Sequence, residues 1–204
     1  MDYRSTTQDY LNRARQQLDS GSMAGIFYTA FELRCGIESR MFRYLEAREN
    51  ITKLKRKGWR IAKMSAQIEG TFNTRGKICV ITFLGQSVES PINVFKYIPI
   101  SRKLKTMAKQ LGDYLHAQDS YCQNDDPWWV DTREYLEKVY DELEFISSGT
   151  LMGAPLMNPN NKGFHLEIEF PGKEKDKLEI VKNAFPENMQ LNVRVEYVNR
   201  EETT

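Results

Sequence analysis

Ile26, Ala30, Leu33, Ile37, Met41 and Tyr44 recur at intervals of three and four along this chain. In an α-helix that spacing stacks side chains on one face. It predicts one continuous helix over residues 23–47, carrying an apolar stripe that a lone helix cannot hide. Companion helices must cover it, and three segments have the right pattern. Tyr10, Leu11, Ala14 and Leu18 share a face within residues 5–18, and the short Ser20-Gly21-Ser22 link predicts an antiparallel pairing with the long helix. Ser101 is a good N-cap for a helix presenting Leu104, Met107, Ala108, Leu111 and Leu115. Asp126-Pro127 is a helix start signal, followed by Leu136, Val139, Tyr140, Leu143 and Ile146.

Elsewhere the period changes to two. Residues 77–83 read as a β-branched strand, and residues 94–100 as a partner that Pro99 ends or confines to an edge. Phe164, Leu166, Ile168 and Phe170 alternate with polar residues, as do Leu191, Val193, Val195 and Tyr197. Residues 150–163 hold two prolines, three asparagines and two glycines and read as a linker, and residues 173–185 as a short helix. The expected fold is therefore mainly α (α+β). Residues 1–149 form a helical bundle with a β-hairpin inserted at about 77–100. Residues 150–204 form a linker and a small C-terminal α/β, β-rich element. The inserted strands and the C-terminal strands are candidates for one sheet.

Several function classes are excluded at this level. Cys35, Cys79 and Cys122 are odd in number and widely spaced, which speaks against a disulfide framework and a Cys-rich zinc site. They predict reduced thiols in a cytoplasmic setting. With only His116 and His165, a multi-histidine metal site is not expected. No Gly-rich phosphate loop, Ser/His/Asp set or dinucleotide fingerprint is present, so neither cofactor nor metal is expected. No leader is visible, and the longest apolar run, residues 78–84, is far short of the roughly 20 residues of a membrane helix. The formal net charge of +1 excludes a uniformly basic coat but allows local patches.

The segment from Phe27 to Arg40, FYTAFELRCGIESR, together with Tyr10-Leu11-Asn12-Arg13-Ala14 before the short turn, resembles the core helices of HEPN-like proteins. The resemblance covers the first fifty residues and extends less closely through Ile146. It implies a commonly dimeric helical bundle of the kind found in bacterial toxin–antitoxin and phage-defence systems, several members being RNases. Active members carry Arg followed by His after four to six residues. Here Lys109 precedes His116 with six residues between, a degenerate form, because Lys offers a point charge where Arg offers a planar fork for phosphate. His116 would be the acid or base near neutral pH. The alternative is a partly exposed histidine at a helix C-terminus.

Two basic segments are candidate nucleic-acid contacts. Lys53, Lys55, Arg56, Lys57, Arg60 and Lys63 surround Trp59, which would stack on an unpaired base. Equally, this is a solvated basic surface with Trp59 packed inward. Ser101, Arg102, Lys103 and Lys105 stand at a helix N-terminus whose amides favour anions, a phosphate-type arrangement, unless the cations pair with acidic residues elsewhere. Arg34 and Glu38, one turn apart beside the apolar stripe, form a candidate ion pair at a bundle interface. Asp125, Asp126, Asp131 and Glu134 cluster around Trp128 and Trp129; capping explains the acids without a metal, and the tryptophans are expected at a domain or subunit contact. Two functions follow. One is a non-catalytic or weakly RNase-like defence or toxin–antitoxin component, forming a homodimer and binding RNA, DNA or a partner protein. The other is a protein-interaction adaptor without a nucleic-acid role, its C-terminal strands pairing with a partner's edge.

Overall fold

The computed structural model describes residues 5–46, 61–72, 74–84, 91–116, 123–149, 156–157, 164–165 and 192–202. The chain divides into two compact units, residues 1–68 with 100–148 and residues 69–99 with 149–204.

The first unit is helical. Helix α1 (Thr7–Asp19) opens with a capping box: the Asp9 amide donates to Thr6 Oγ1 at 3.2 Å, and the Thr6 amide donates to Asp9 Oδ2 at 3.1 Å. It ends where Gly21 takes φ +67°, a left-handed turn that side chains resist. Helix α2 (Met23–Glu46) then returns along it as one rod. Arg13 Nε meets Glu32 Oε2 at 2.9 Å across the pair. The predicted stripe is buried throughout: Ile26, Ala30, Leu33, Ile37, Met41 and Tyr44 are each at most 2% exposed. Its cover comes from Leu11, Ala14 and Leu18 of α1 and from Leu136, Val139, Leu143 and Ile146 of helix α5 (Trp128–Ser147). Each such Leu or Ile contributes about 1.5–3 kcal/mol on burial.

Polar ties fix the helices in register. Arg133 Nη1 donates to the Leu18 carbonyl at 2.6 Å, placing a cation on the last turn of α1. Buried Arg40 donates to the Ile146 carbonyl and to Tyr44 Oη, each at 3.0 Å. Helix α4 (Arg102–Gln110) buries Leu104, Met107 and Ala108. It stops earlier than its apolar pattern suggested. Beyond Leu111 the chain turns at Gly112 into a 3-10 turn over Asp113–Leu115, which leaves Leu115 exposed.

Helix α3 (Ile61–Phe72) was not anticipated. Its signal lies in Ile61, Met64, Ser65 and Ile68, buried at helical spacing but preceded by the basic run that masked the pattern. No described helix is long and apolar enough to cross a membrane.

The second unit contains a three-stranded antiparallel sheet. Strand β1 (Ile78–Leu84) lies between β2 (Pro91–Tyr97) and β5 (Asn192–Val198). The predicted partner strand thus begins and ends three residues earlier, with Pro99 outside it. Ile81 pairs with Phe95 on one side and Val195 on the other. Cys79, Ile81, Phe83, Phe95 and Tyr97 are buried on one face, with Phe83 and Phe95 edge to face at 5.4 Å. The hairpin expected as an insertion in the bundle therefore shares a sheet with the C-terminal segment. Strands β3 (Leu156–Met157) and β4 (Phe164–His165) make a separate two-stranded pairing. The remainder of the expected 164–170 strand and the expected helix at 173–185 lie outside the described residues.

Candidate functional site

An aromatic cleft lies at the end of α4, against α5. It has a volume of about 310 Å³ and is lined by Gln110, Asp113, Tyr114, Trp128 and Tyr135. Trp128 and Tyr135 stand seven residues apart, so two helical turns place them on one side of α5. The start of α5 is held by Asp126, whose Oδ1 accepts from the Trp128 amide at 2.9 Å. The 3-10 turn after α4 brings Tyr114 between them. Its ring centroid is 6.1 Å from Trp128 and 6.0 Å from Tyr135. Trp129 meets Trp128 edge-on at 4.8 Å, and Phe27 of α2 lies 6.2 Å from Trp128 and 6.1 Å from Trp129. The paired tryptophans thus pack inside the helical unit against Phe27 and Tyr114.

Hydrogen bonds pin this wall. The Tyr135 hydroxyl has two acceptors at 3.0 Å, the Met107 carbonyl and Gln110 Oε1. The Trp129 indole N–H donates to the Gln123 carbonyl at 2.8 Å. Burial, with the neighbouring Tyr114 and the Asp113 carboxylate, pushes the Tyr135 phenol up to about 12, so it remains a neutral donor. Asp131 sits between Trp128 and Tyr135 on the same side of α5 and is exposed. Glu134, Glu137, Asp141 and Glu144 form a separate exposed acidic stripe, turned roughly 100–180° around α5 from Trp128 and Tyr135, with Lys138 beside it.

The residues singled out from sequence are dispersed. Lys109 is exposed on the last turn of α4, and His116 is exposed beyond the 3-10 turn. The intervening turn means they do not share one continuous helix. At the start of α4 an internal carboxylate stands where a phosphate was expected. Ser101 caps the helix by accepting from the Leu104 amide at 2.9 Å and donates to Glu142 Oε1 at 2.8 Å. Lys103 Nζ reaches Glu142 Oε2 at 3.3 Å. Glu142 is only 2% exposed, so α5 supplies the anion that Ser101 and Lys103 attract at this N-terminus. Arg102, Lys105 and Lys109 share another side of α4.

Arg34 Nε lies 3.3 Å from Glu38 Oε1, and Arg34 Nη1 donates to the Ala108 carbonyl at 3.4 Å. The pair thus reaches from α2 to the end of α4. Burial raises the Glu38 carboxyl above its ordinary range, and Arg34 offsets only part of that. Burial and the nearby Glu38 and Glu32 raise the Cys35 thiol to about 11, against a nucleophilic role. Cys79, hydrogen-bonded to Tyr197, is likewise pushed up to about 11 by burial. Lys53, Lys55, Arg56, Lys57, Trp59, Arg60 and Cys122 lie outside the described residues, while Lys63 is exposed on α3. Pro127, not Asp126, is the N-cap residue of α5, so the expected start shifts by one residue; Asp126 accepts from the Trp128 amide just ahead of the helix, and Glu134 faces Lys138 at 3.8 Å. Among the described residues no three His, Cys, Asp or Glu side chains converge to hold a metal ion.

Gln110, Asp113, Tyr114 and Tyr135 were not selected from sequence. The seven-residue interval from Trp128 to Tyr135 was a legible signal for two of the five lining residues. Tyr114 had none, because it arrives through a turn. Comparison of the chain with protein-family models, curated proteins and solved structures returned no match.

Proposed function

We propose that this chain is a non-catalytic binding component of a bacterial defence or toxin–antitoxin-type assembly, and that its helical unit engages a basic segment of a partner protein. The setting rests on the resemblance of Phe27–Arg40 to HEPN-like core helices. The binding role rests on one observation, the half-exposed aromatic cleft lined by Tyr114, Trp128 and Tyr135 together with the carboxylate of Asp113. Aromatic anchors supply most of the energy at protein interfaces, and surrounding charge speeds and selects the encounter. The homodimer implied by the resemblance is compatible with this reading, because the basic side of α4 and the acidic side of α5 are complementary in sign.

A second reading has its own support. Arg102, Lys105 and Lys109 on one side of α4, with the basic segment 53–63, suit a nucleic-acid backbone. One competition separates the two. A labelled Arg/Lys-rich peptide and a labelled single-stranded RNA are each titrated with the chain at low and high salt. The first reading expects peptide binding that weakens with salt and with Asp113→Asn plus Asp131→Asn, and no RNA binding. Peptide left unbound at low salt refutes it. RNA binding that falls with salt supports the second.

A further inference from the structure

We propose that the cleft is the receptor for an arginine side chain of that partner, its guanidinium held over the faces of Tyr114, Tyr135 and Trp128 with the Asp113 carboxylate as counter-charge. This rests on the partner-protein reading above and names the group that the cleft selects.

The rings decide the sign of the ligand. Each aromatic face is the negative side of a quadrupole, and a cation within about 6 Å of the centroid is attracted to it. Tyr114 stands 6.1 Å from Trp128 and 6.0 Å from Tyr135, tilted 52° and 33° from them rather than stacked flat. A planar cation centred over either junction lies within reach of two centroids at once. Formal charges act in the same direction. Asp113 lines the cleft, and Asp131 lies on the cleft side of α5 between Trp128 and Tyr135. The Tyr135 hydroxyl feels Asp113 directly, which helps to keep its proton bound. A phosphate in this place would meet the same carboxylates and the same ring faces as repulsion. Of the cations nearby, Lys109 lies about 100° around α4 from Gln110, and Arg34, whose Nη1 comes within 2.9 Å of the place a Cβ would take on Gly112, is engaged by Glu38 and the Ala108 carbonyl.

Size narrows the choice further. About 310 Å³ is at the small end for a ligand site. It accommodates one head group and its stem, and it is the sign of the charge, not the size, that disfavours a nucleotide. Gln110 adds a polar side chain at the rim, and its oxygen, already near the Tyr135 hydroxyl, is an acceptor that a guanidinium N–H can use. Arginine, with five donors in a flat fork, satisfies rings, carboxylate and amide together.

The test uses the full chain, isotopically labelled, with the three indole N–H signals followed by NMR. It is titrated with N-acetyl-arginine amide and with N-acetyl-citrulline amide, which keeps the shape and removes the charge. A saturable shift of the Trp128 signal is expected with the arginine compound, and binding weaker by at least about five-fold with the citrulline compound. Asp113→Asn should weaken arginine binding about five-fold, and Tyr114→Leu should abolish it. Equal affinity for the two compounds, an unmoved Trp128 signal, or an Asp113→Asn variant that binds as tightly as the native chain overturns the proposal. If Tyr114→Leu disturbs the fold, seen as displacement of all three indole signals, Asp113→Asn decides alone, since it changes charge and keeps shape. Peptide binding with an unmoved Trp128 signal defeats this assignment and leaves the partner reading standing. Arginine binding without peptide binding does the reverse.

Discussion

Replacing Gly25 with alanine sets two effects against each other whose sizes the structure separates. Gly25 lies in the first turn of α2, where alanine ordinarily stabilises a helix by up to about 1 kcal/mol over glycine. Here an added Cβ would stand 2.6 Å from the Gln17 carbonyl oxygen and 2.9 Å from both Ser20 Oγ and Ser22 Oγ. The hydroxyls can rotate away, but the carbonyl belongs to the backbone of α1. The two helices must therefore separate by about half an ångström along an otherwise close-packed seam. Overpacking of this kind costs about 1–3 kcal/mol, against a propensity gain of about 1 kcal/mol at most. The net loss is about 0–2 kcal/mol, a fall in Tm of up to about 8 °C for a chain of this size. Far-UV circular dichroism on heating reads it. A second variant isolates the cause. Gly21 has φ +67° and nothing within 4 Å of a Cβ, so Gly21→Asn, which tolerates the left-handed region, should change Tm by no more than about 1 °C. If Gly25→Ala melts above the native temperature, helix propensity outweighs the contact, and the close approach of α1 and α2 is not what places glycine there.

Glu142→Ala removes the acceptor of Ser101 and the partner of Lys103; a charged hydrogen bond and an ion pair whose lysine is mostly exposed but whose carboxylate is buried together give an expected loss of about 2–3 kcal/mol in urea unfolding, while Glu142→Gln should cost under about 1 kcal/mol. A larger effect of Gln than of Ala contradicts this account. The raised Glu38 carboxyl means the folded state favours its protonated form, so its contribution to stability is full below the unfolded-state value and is lost as pH rises through the folded-state value. Glu38→Gln should accordingly melt no lower than the native chain at pH 7 and show a flatter pH profile in the acid range; a lower Tm at pH 7 refutes the sign. If the chain cleaves RNA, Lys109→Ala and His116→Ala should each remove the activity in a gel assay, and unchanged cleavage in both excludes this pair.

The helical unit was readable along the chain because its determinants are local. A stripe repeating at 3.6 residues, a Ser N-cap, an Asp-Pro pair that lies one residue ahead of the observed start and a turn glycine each act within a few residues, so α1, α2, α4 and α5 follow from neighbours in sequence. The strands at 78–84 and 192–198 were visible for the same reason, through alternation. Pairing was another matter. That β5 lies beside β1, more than a hundred residues earlier, depends on which buried faces fit, and strand periodicity carries no address for its partner. The charged start of α4 shows the same limit. Ser101 and its cations read as a place for an external anion, and folding brings Glu142 there from forty residues away. The aromatic cleft arises likewise from a helix end, a turn and a second helix, three pieces whose residues meet only when the apolar stripe of α2 has drawn α1 and α5 around it. Local periodicity dictates which side each element must hide. Long-range packing selects what is left to face the solvent, and function is found on that remainder.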